Sequence, residues 1–313
     1  MLSDLDKSRI RSEFGVFDHE WSFYSTSRGE PFLVGDFLIY FDGVFLCICA
    51  FRLGEVWAEV SHSQVQSALE EVPGSASAQG LCLWGRHDPI KALTLGDGRL
   101  LKRVAFNDYD ESFVDAVVDL RSFDFGCLRE ARLAANAVAR GSLSCEIVQR
   151  RSLRAEHFAL IQDWANGHEI SPRSAGAVAG LPRHVCEDHV HLVECRLGGS
   201  LVGFAVLALV GRSAVFSQGF SRRINGQRVG DALYSRMIAF GKERDMLRLH
   251  LGYSPSPGLI RFKEKWGARL LGPPFRDSLF TDSPALTSLF EAGRFRWHER
   301  LTQDEPIPLS WSG

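Results

Sequence analysis

After an irregular stretch to about residue 31, the chain falls into short apolar runs, FLIYF, GVFLCICAF and EVWAEV. They are joined by Asp42-Gly43 and Leu53-Gly54, which are hairpin signals, and together they predict a short antiparallel meander. The apolar spacing then changes to a helical period over Ser63–Val72. A loop PGSASAQG follows, then a strand at Leu81–Trp84, a short helix at Asp88–Leu93 and a strand near Leu100–Phe106. The second half repeats this order. HLVECRL, SLVGFAVLALV and SAVFSQGF form a meander turned at Gly198-Gly199 and Gly211-Arg212. A helix over Val229–Arg244, a strand over Met246–Tyr253, a helix over Leu259–Trp266 and a strand over Ala268–Leu271 complete it. Duplicated element order predicts two similar domains, with one single mixed sheet as the alternative.

Between the halves, Cys127–Arg140 reads as a helix with Leu128, Ala131, Ala135 and Val138 on a packing stripe and Arg129, Arg132, Asn136 and Arg140 on a polar one. A further helix at Arg154–Ala165 places Phe158, Ile161, Trp164 and Ala165 on one side. The Gly/Pro-rich segment from Asn166 to Pro182 is long enough to be a lid or a substrate wall. The resulting division is residues 1–120, a connecting Arg-rich helix over 121–141, and 142–313.

Composition narrows the class. With 45% hydrophobic and 24% charged residues in 313, the chain is an ordinary globular one, and disordered and fibrous classes are excluded. The longest apolar run, Leu201 to Val210, is half of the roughly 20 residues that span a bilayer, and the charged start MLSDLDKSRIRSEF has no apolar signal region. No integral membrane segment and a cytoplasmic location are therefore expected. The seven cysteines, Cys47, Cys49, Cys82, Cys127, Cys145, Cys186 and Cys195, lack paired CxxC spacing, which favours reduced core thiols over disulfides or zinc. The net charge of −2 conceals a polarity: residues 1–120 carry −9 and the remainder +7. Residues 221–269 alone hold eleven basic and four acidic residues, a cluster able to meet phosphates or, alternatively, a solvated surface laced with ion pairs.

The segment Gln227-Arg228-Val229-Gly230-Asp231-Ala232 lies just after a strand and opens an amphipathic helix with Val229, Leu233, Met237 and Phe240 on one face. Unpaired backbone amides and the positive end of the helix dipole make a phosphate cradle there, and Gly230 lets a ligand approach the backbone. The pattern resembles the Q/R-x-x-G-x-G/A signature of the GNAT acyltransferase superfamily. A more specific run is Gly258-Leu259-Ile260-Arg261-Phe262-Lys263-Glu264-Lys265-Trp266-Gly267. It resembles the G-L-x-x-F-K-x-x-F/W-G motif of the Fem aminoacyltransferases and of the catalytic domain of phosphatidylglycerol lysyltransferases. Upstream, Val118-Asp119-Leu120, Phe123, Gly126, Arg129, Arg132, Asn136, Arg140 and Gly141 look like the Arg-rich helix region of the lysyltransferase domain. The matches cover residues 118–275; the N-terminal half agrees only in element order.

That resemblance implies a mixed α/β (α+β) fold of tandem GNAT-like domains, each a mostly antiparallel sheet flanked by helices, with the N-terminal domain degenerate. It implies an aminoacyltransferase that takes its aminoacyl group from aminoacyl-tRNA, without a resident cofactor, and passes it directly to an amine or hydroxyl of a small molecule or lipid headgroup. Gln227, Arg228, Val229, Gly230 and Ala232 would bind donor phosphates, and Arg129, Arg132, Arg140, Arg222, Arg223 and Arg261 would contact tRNA. CoA-dependent GNATs commonly have a tyrosine where this chain has Lys263. In Fem-like enzymes the matching lysine stabilises the oxyanion or the leaving ribose oxygen, which suits a fixed positive charge. A surface lysine in ion pairs is the alternative, and the readable QRVGDA segment keeps an acyl-CoA donor open. His250 is the candidate general base, with Glu194 and Asp163 weaker ones. His189 and His191 have no third partner for a metal, and none is expected. Ser254 and Ser256 in YSPSPG read as turn residues, and no nucleophile elbow or Walker motif occurs.

Overall fold

The computed structural model describes residues 32–41, 45–50, 52–53, 56–72, 78–104, 113–129, 132–133, 136, 143–166, 178, 181–182, 184–225, 227–254 and 257–291. In chain order the elements are β1 (Phe32–Val34), β2 (Phe37–Phe41), β3 (Phe45–Ala50), β4 (Arg52–Leu53), β5 (Val56–Trp57), β6 (Glu59–Val60), α1 (His62–Glu70), β7 (Gly80–His87), β8 (Ala92–Thr94) and β9 (Leu100–Val104). They continue with β10 (Phe113–Asp119), β11 (Ser144–Val148), α2 (Ala155–Asn166), β12 (Val190–Leu197), β13 (Ser200–Val210), β14 (Ser213–Ser221), α3 (Val229–Glu243), β15 (Arg248–Ser254), α4 (Pro257–Glu264), β16 (Arg269–Thr281) and α5 (Pro284–Glu291). They form two compact units interleaved in sequence: described residues 32–114, 178 and 271–291 belong to the first, and 115–166, 181–182, 184–225, 227–254 and 257–270 to the second.

In the first unit the sheet order is β1-β2-β3-β7-β16, with β9 also on β16 and β8 on β9. The meander is antiparallel through β3, after which β7 joins β3 in parallel. Phe45, Ile39, Ile48, Leu81, Leu83 and Phe280 are buried in it. α1 starts at Ser61 because its hydroxyl accepts the Gln64 N–H while the Gln64 side chain accepts the Ser61 N–H, a reciprocal capping box. The short helix expected at Asp88–Leu93 does not form. Ala92–Thr94 pair with β9 instead, and the Gln66 amide brackets Thr94 by bonds of 2.7 and 2.9 Å. Ile90 and Leu93 are both buried, a spacing too short to separate a helix from a strand.

In the second unit the order is β10-β15-β14-β13-β12-β11, antiparallel from β11 to β14, with β14 and β15 parallel. α3 covers one face, burying Val229, Leu233, Met237 and Phe240 as its period predicts, together with Ala232, Tyr234 and Ile238. Leu249, Leu251, Ala116, Val118, Val193 and Leu207 meet it from the sheet. α2 buries His157, Leu160 and Ile161; of the side read from the sequence, Phe158, Trp164 and Ala165 are only half-buried. Strands β10 and β11 are elements that the apolar pattern did not suggest, and β16 is far longer than expected. Of the connecting helix, Arg129, Arg132, Leu133 and Asn136 are helical, and Arg140 lies outside the described residues. So does most of the segment from Asn166 to Pro182. Cys47, Cys49, Cys82 and Cys195 are buried thiols as expected, whereas Cys127 and Cys186 are exposed. Among the described residues no helix is long and apolar enough to cross a membrane.

Candidate active site

α3 opens at the segment that the sequence offers as a cradle. Gln227 donates its N–H to Ile224 O at 3.0 Å, turning the chain into Arg228, the N-cap, which makes no side-chain capping bond. The first helical bond runs from Ala232 N–H to Arg228 O, so the amides of Val229, Gly230 and Asp231 have no intrahelical acceptor. Val229 and Ala232 are core side chains and can offer only their backbone. A Cβ at Gly230 would meet only Phe262 Cζ, at 3.8 Å, so packing does not demand glycine there and the bare backbone stays approachable. Asp231 turns inward instead. Its Oδ1 accepts Trp266 Nε1 at 3.1 Å and Lys265 Nζ at 2.7 Å, and Arg228 Nη1 lies 3.7 Å from Oδ2.

That clasp explains much of the second motif. Trp266 is fully buried, Phe262 stands edge-on to Tyr234 at 4.9 Å, and Lys265 Nζ sits 4.4 Å above the Phe262 ring. Gly267, with φ +75°, supplies the left-handed residue that ends α4, its N–H donating to Glu264 O at 2.8 Å. The motif therefore locks α4 to the first turn of α3 and sets Lys263 one residue away from Phe262 on the inner side.

Lys263 is 1% exposed, and its Nζ donates to Gly252 O at 2.8 Å. Burial pulls its ammonium down to about 7, against the opposing pull of the buried Asp115 carboxylate. Two expectations change. This is no surface lysine in ion pairs, and at neutral pH it is not a fixed positive charge but an amine poised to give or take a proton, because desolvation disfavours its charged form.

The strand that receives it departs from regular geometry. β14 and β15 pair in parallel only from Ser213↔Arg248 to Val215↔His250, although both continue well beyond. They part where Gly252 takes φ +66°; a Cβ there would lie 3.4 Å from Phe216 O. At the same level β14 carries an extra residue: Phe216 pairs Leu207 and Gln218 pairs Val206, leaving Ser217 as a bulge. The two strands thus diverge beyond Val215 and His250. His250 is buried at the last paired position, at the mouth of the parting. His184 Nε2 lies 3.4 Å from Ser217 Oγ, and burial first, with the His189 charge, pushes its ring down to about 4, so it is neutral.

The weaker base candidates are committed elsewhere. Glu194 accepts Arg150 Nε at 2.5 Å, His157 Nε2 at 3.2 Å and Arg196 Nη2 at 2.8 Å. His157 Nδ1 accepts the Arg154 N–H, so its proton is on Nε2. Burial pushes the Glu194 carboxyl up, but the bonds from His157, Arg150 and Arg196 outweigh it and hold the group well below the usual carboxylate range. Asp163 is paired with Arg222 at 2.8 Å. Of the arginines expected to meet tRNA, Arg222 is thus already neutralised, while Arg129, Arg132, Arg223 and Arg261 are exposed and make no ion pair among the described residues. His191 packs edge-on to Phe240 at 5.1 Å, and among the described residues no three His, Cys, Asp or Glu side chains converge on a metal position.

Three buried polar groups escaped the sequence. Asp115 sits in VDAVVD, where strand alternation places it opposite Ala116 and Val118, and that alternation was the available signal. Gln218 follows from the bulge, which leaves no sequence trace. Ser254 is not a turn residue but the fully buried last residue of β15.

No family model and no curated protein sequence matches the chain. Solved structures do. L-PGS from Bacillus licheniformis is 13% identical with TM-score 0.52, over 93% of this chain and 95% of that one. FemX is 11% identical with TM-score 0.51, over 93% and 99%. A conserved protein of unknown function from Bacteroides thetaiotaomicron is 10% identical with TM-score 0.50, over 90% and 98%. At such identities the likeness is one of fold, and it extends over the first unit, where the sequence motifs were silent. The chain has the fold of L-PGS and FemX, a mixed α/β, Fem-like fold as its motifs implied.

Proposed function

We propose that this protein is an acyltransferase that moves an aminoacyl group from aminoacyl-tRNA to an amine or hydroxyl of a small molecule or lipid headgroup, by direct transfer in a ternary complex. The observation that carries this reading is Lys263, a fully buried amine bonded to Gly252 O where β14 and β15 part. Burying an ammonium is costly, so packing alone does not favour it, and strained or destabilising groups of this kind cluster at functional sites. As an ammonium it can protonate the ribose oxygen as the ester C–O bond breaks; as an amine it can first take the proton of the nucleophile. No resident cofactor enters this reading.

Equilibrium binding of bulk charged tRNA, across a salt series, tests the donor. Micromolar affinity falling steeply with salt is expected. Replacing Arg129, Arg132 and Arg223 together by glutamine should reduce the slope of log K against log salt by roughly two to three. An unchanged slope places the tRNA footprint away from these residues, and absent tRNA binding overturns the donor assignment.

An acyl-CoA donor is the second reading, favoured by the uncapped first turn of α3 and the open space over Gly230. It requires saturable CoA binding that Gly230→Glu abolishes, since the new carboxylate would occupy the cradle and repel a pyrophosphate. Tight CoA binding with only weak tRNA association would establish this reading over the first.

A further inference from the structure

Cys145 on β11 and Cys195 on β12 are directly opposite partners in an antiparallel ladder, so their side chains stand on the same face of the sheet. The two thiols share a hydrogen bond, and both are reduced. The face is the one that α3 covers. Cys195 is fully buried in that core, and Cys145 packs against it while staying half-buried on β11, an edge strand among the described residues. On its other side Cys195 pairs Gly203 of β13, where Val229 of α3 fills the place that a side chain would take. The Cys195 thiol is crowded from that side and faces β11. Opposite residues of an antiparallel pair have Cα atoms about 4.5–5.5 Å apart, inside the range of about 4.4–6.8 Å that a disulfide spans, so the bond can close with the strand pairing kept.

We propose that Cys145 and Cys195 are an oxidisable dithiol, a site of reversible modification at which a hydroperoxide closes a cross-strand disulfide between β11 and β12. The thiolate is the reactive form. The shared hydrogen bond lowers the Cys195 thiol and raises that of Cys145, because the S–H of one steadies the charge on the other, while burial opposes ionisation of both. The pair therefore gives up its first proton more readily than its second. The remaining proton can cross the shared bond to Cys195. That leaves the charge on Cys145, which solvent reaches and where the Arg236 guanidinium of α3 attracts it.

The Cys145 thiolate attacks one oxygen of hydrogen peroxide, the O–O bond breaks, and the departing hydroxide takes up the proton that the pair had shed, giving a sulfenic acid and water. The Cys195 sulfur then attacks the Cys145 sulfur. The S–S bond forms as the S–O bond breaks, and the hydroxyl leaves with the Cys195 proton as a second water. Two thiols and one peroxide become one disulfide and two waters: the sulfurs lose two electrons and the peroxide oxygens gain them. A dithiol reductant reverses the change by thiol–disulfide exchange. The closed loop, from Cys145 to Cys195, contains Arg150 and His157, both of which bond Glu194 at the end of that loop. Linking its ends restricts the unfolded chain and so stabilises the folded one.

The test uses the full chain, reduced with dithiothreitol, freed of reductant and treated in its folded state with hydrogen peroxide. Remaining thiols are then alkylated under denaturing conditions and the protein is mapped by mass spectrometry. Loss of two hydrogens is expected, in a linked peptide pair holding Cys145 and Cys195, together with a rise of about 5–15 °C in melting temperature; dithiothreitol should reverse both. Cys145→Ser, at the half-buried position, should melt close to the reduced parent yet show neither the link nor the rise. Replacing the exposed Cys127 and Cys186 together by serine should leave both intact. Both thiols still open to alkylation after peroxide, sulfinic acid at Cys145 without a link, or a link that forms only when the chain is unfolded before oxidation would overturn the inference. So would linkage of either cysteine to Cys127 or Cys186 in place of its partner. None of these results bears on the transferase reading.

Discussion

Lys263→Met is expected to reduce turnover by about 10²- to 10⁴-fold, the range for losing a positioned proton-transfer group, while making the folded protein more stable. The sign follows from burial. Folding pulls the ammonium from its ordinary 10.5 to about 7. Between those two values the unfolded chain holds a proton that the folded chain has released, so parent stability rises with pH across that window. Below about pH 7 both states are protonated and the penalty is complete, a gap corresponding to roughly 4–5 kcal/mol. Methionine fills a similar volume without charge; it forfeits the bond to Gly252 O and the attraction of the buried Asp115 carboxylate, which offsets part of the relief, so a net gain in acid and neutral solution is expected, vanishing above pH 10. Denaturant melts at pH 6, 8 and 10 measure it. A variant equally stable or weaker at pH 6 would show that Lys263 is not held in the buried state described, and unchanged turnover would remove it from the chemistry. The parent rate should also show an ionisation near pH 7 that the variant lacks.

Glu194→Ala is expected to destabilise the protein by about 3–5 kcal/mol, the cost of breaking a buried ion pair from one side. The carboxylate is 3% exposed and holds three donors from three different parts of the second unit: Arg150 after β11, His157 on α2 and Arg196 on β12 itself. Arg196 is also clamped by Glu156, so it retains a partner; Arg150 and the Nε2–H of His157 lose theirs. The carboxyl of Glu194 is depressed by folding, so its contribution is complete above about pH 4.5 and is lost as pH falls toward the folded value. The gap in melting temperature between parent and variant should therefore be widest at neutral pH and close in acid. A gap of constant size from pH 7 down to pH 3 would assign the loss to packing rather than to charge. Since Glu194 helps to tie α2 and the Arg150 segment to the sheet, alongside the Arg196–Glu156 pair, activity should fall with the folded fraction and not beyond it.

These two residues mark where the sequence was readable and where it was not. Period and turn chemistry carried the second-unit meander, α3 and α4 to within a few residues, because each is long enough for its apolar repeat to exceed chance and each ends at a glycine or a charged turn. Lys263 was singled out by motif spacing, yet its surroundings were misjudged: a lysine in FKEK reads as one of several solvated charges, and nothing local says that α4 turns it inward. Glu194 was read as a possible base because a carboxylate in an apolar strand is conspicuous, but its three partners come from 2 to 44 residues away. Asp88–Leu93 failed for the opposite reason. Its local pattern suited a helix, and the pairing with β9 and the Gln66 bracket decided otherwise.

The amino-acid sequence by itself determined the meander β12–β14, the helices α3 and α4, the helix start at Arg228–Ala232 and the position of the lysine, since these depend on spacings of three to ten residues that the backbone enforces locally. Tertiary structure alone decided the charge state of Lys263, the partners of Asp231 and Glu194, the bulge at Ser217 and the burial of Ser254. Each depends on how much water is removed from a group and which distant dipoles replace it, and that is set by strand register and helix docking rather than by neighbours along the chain.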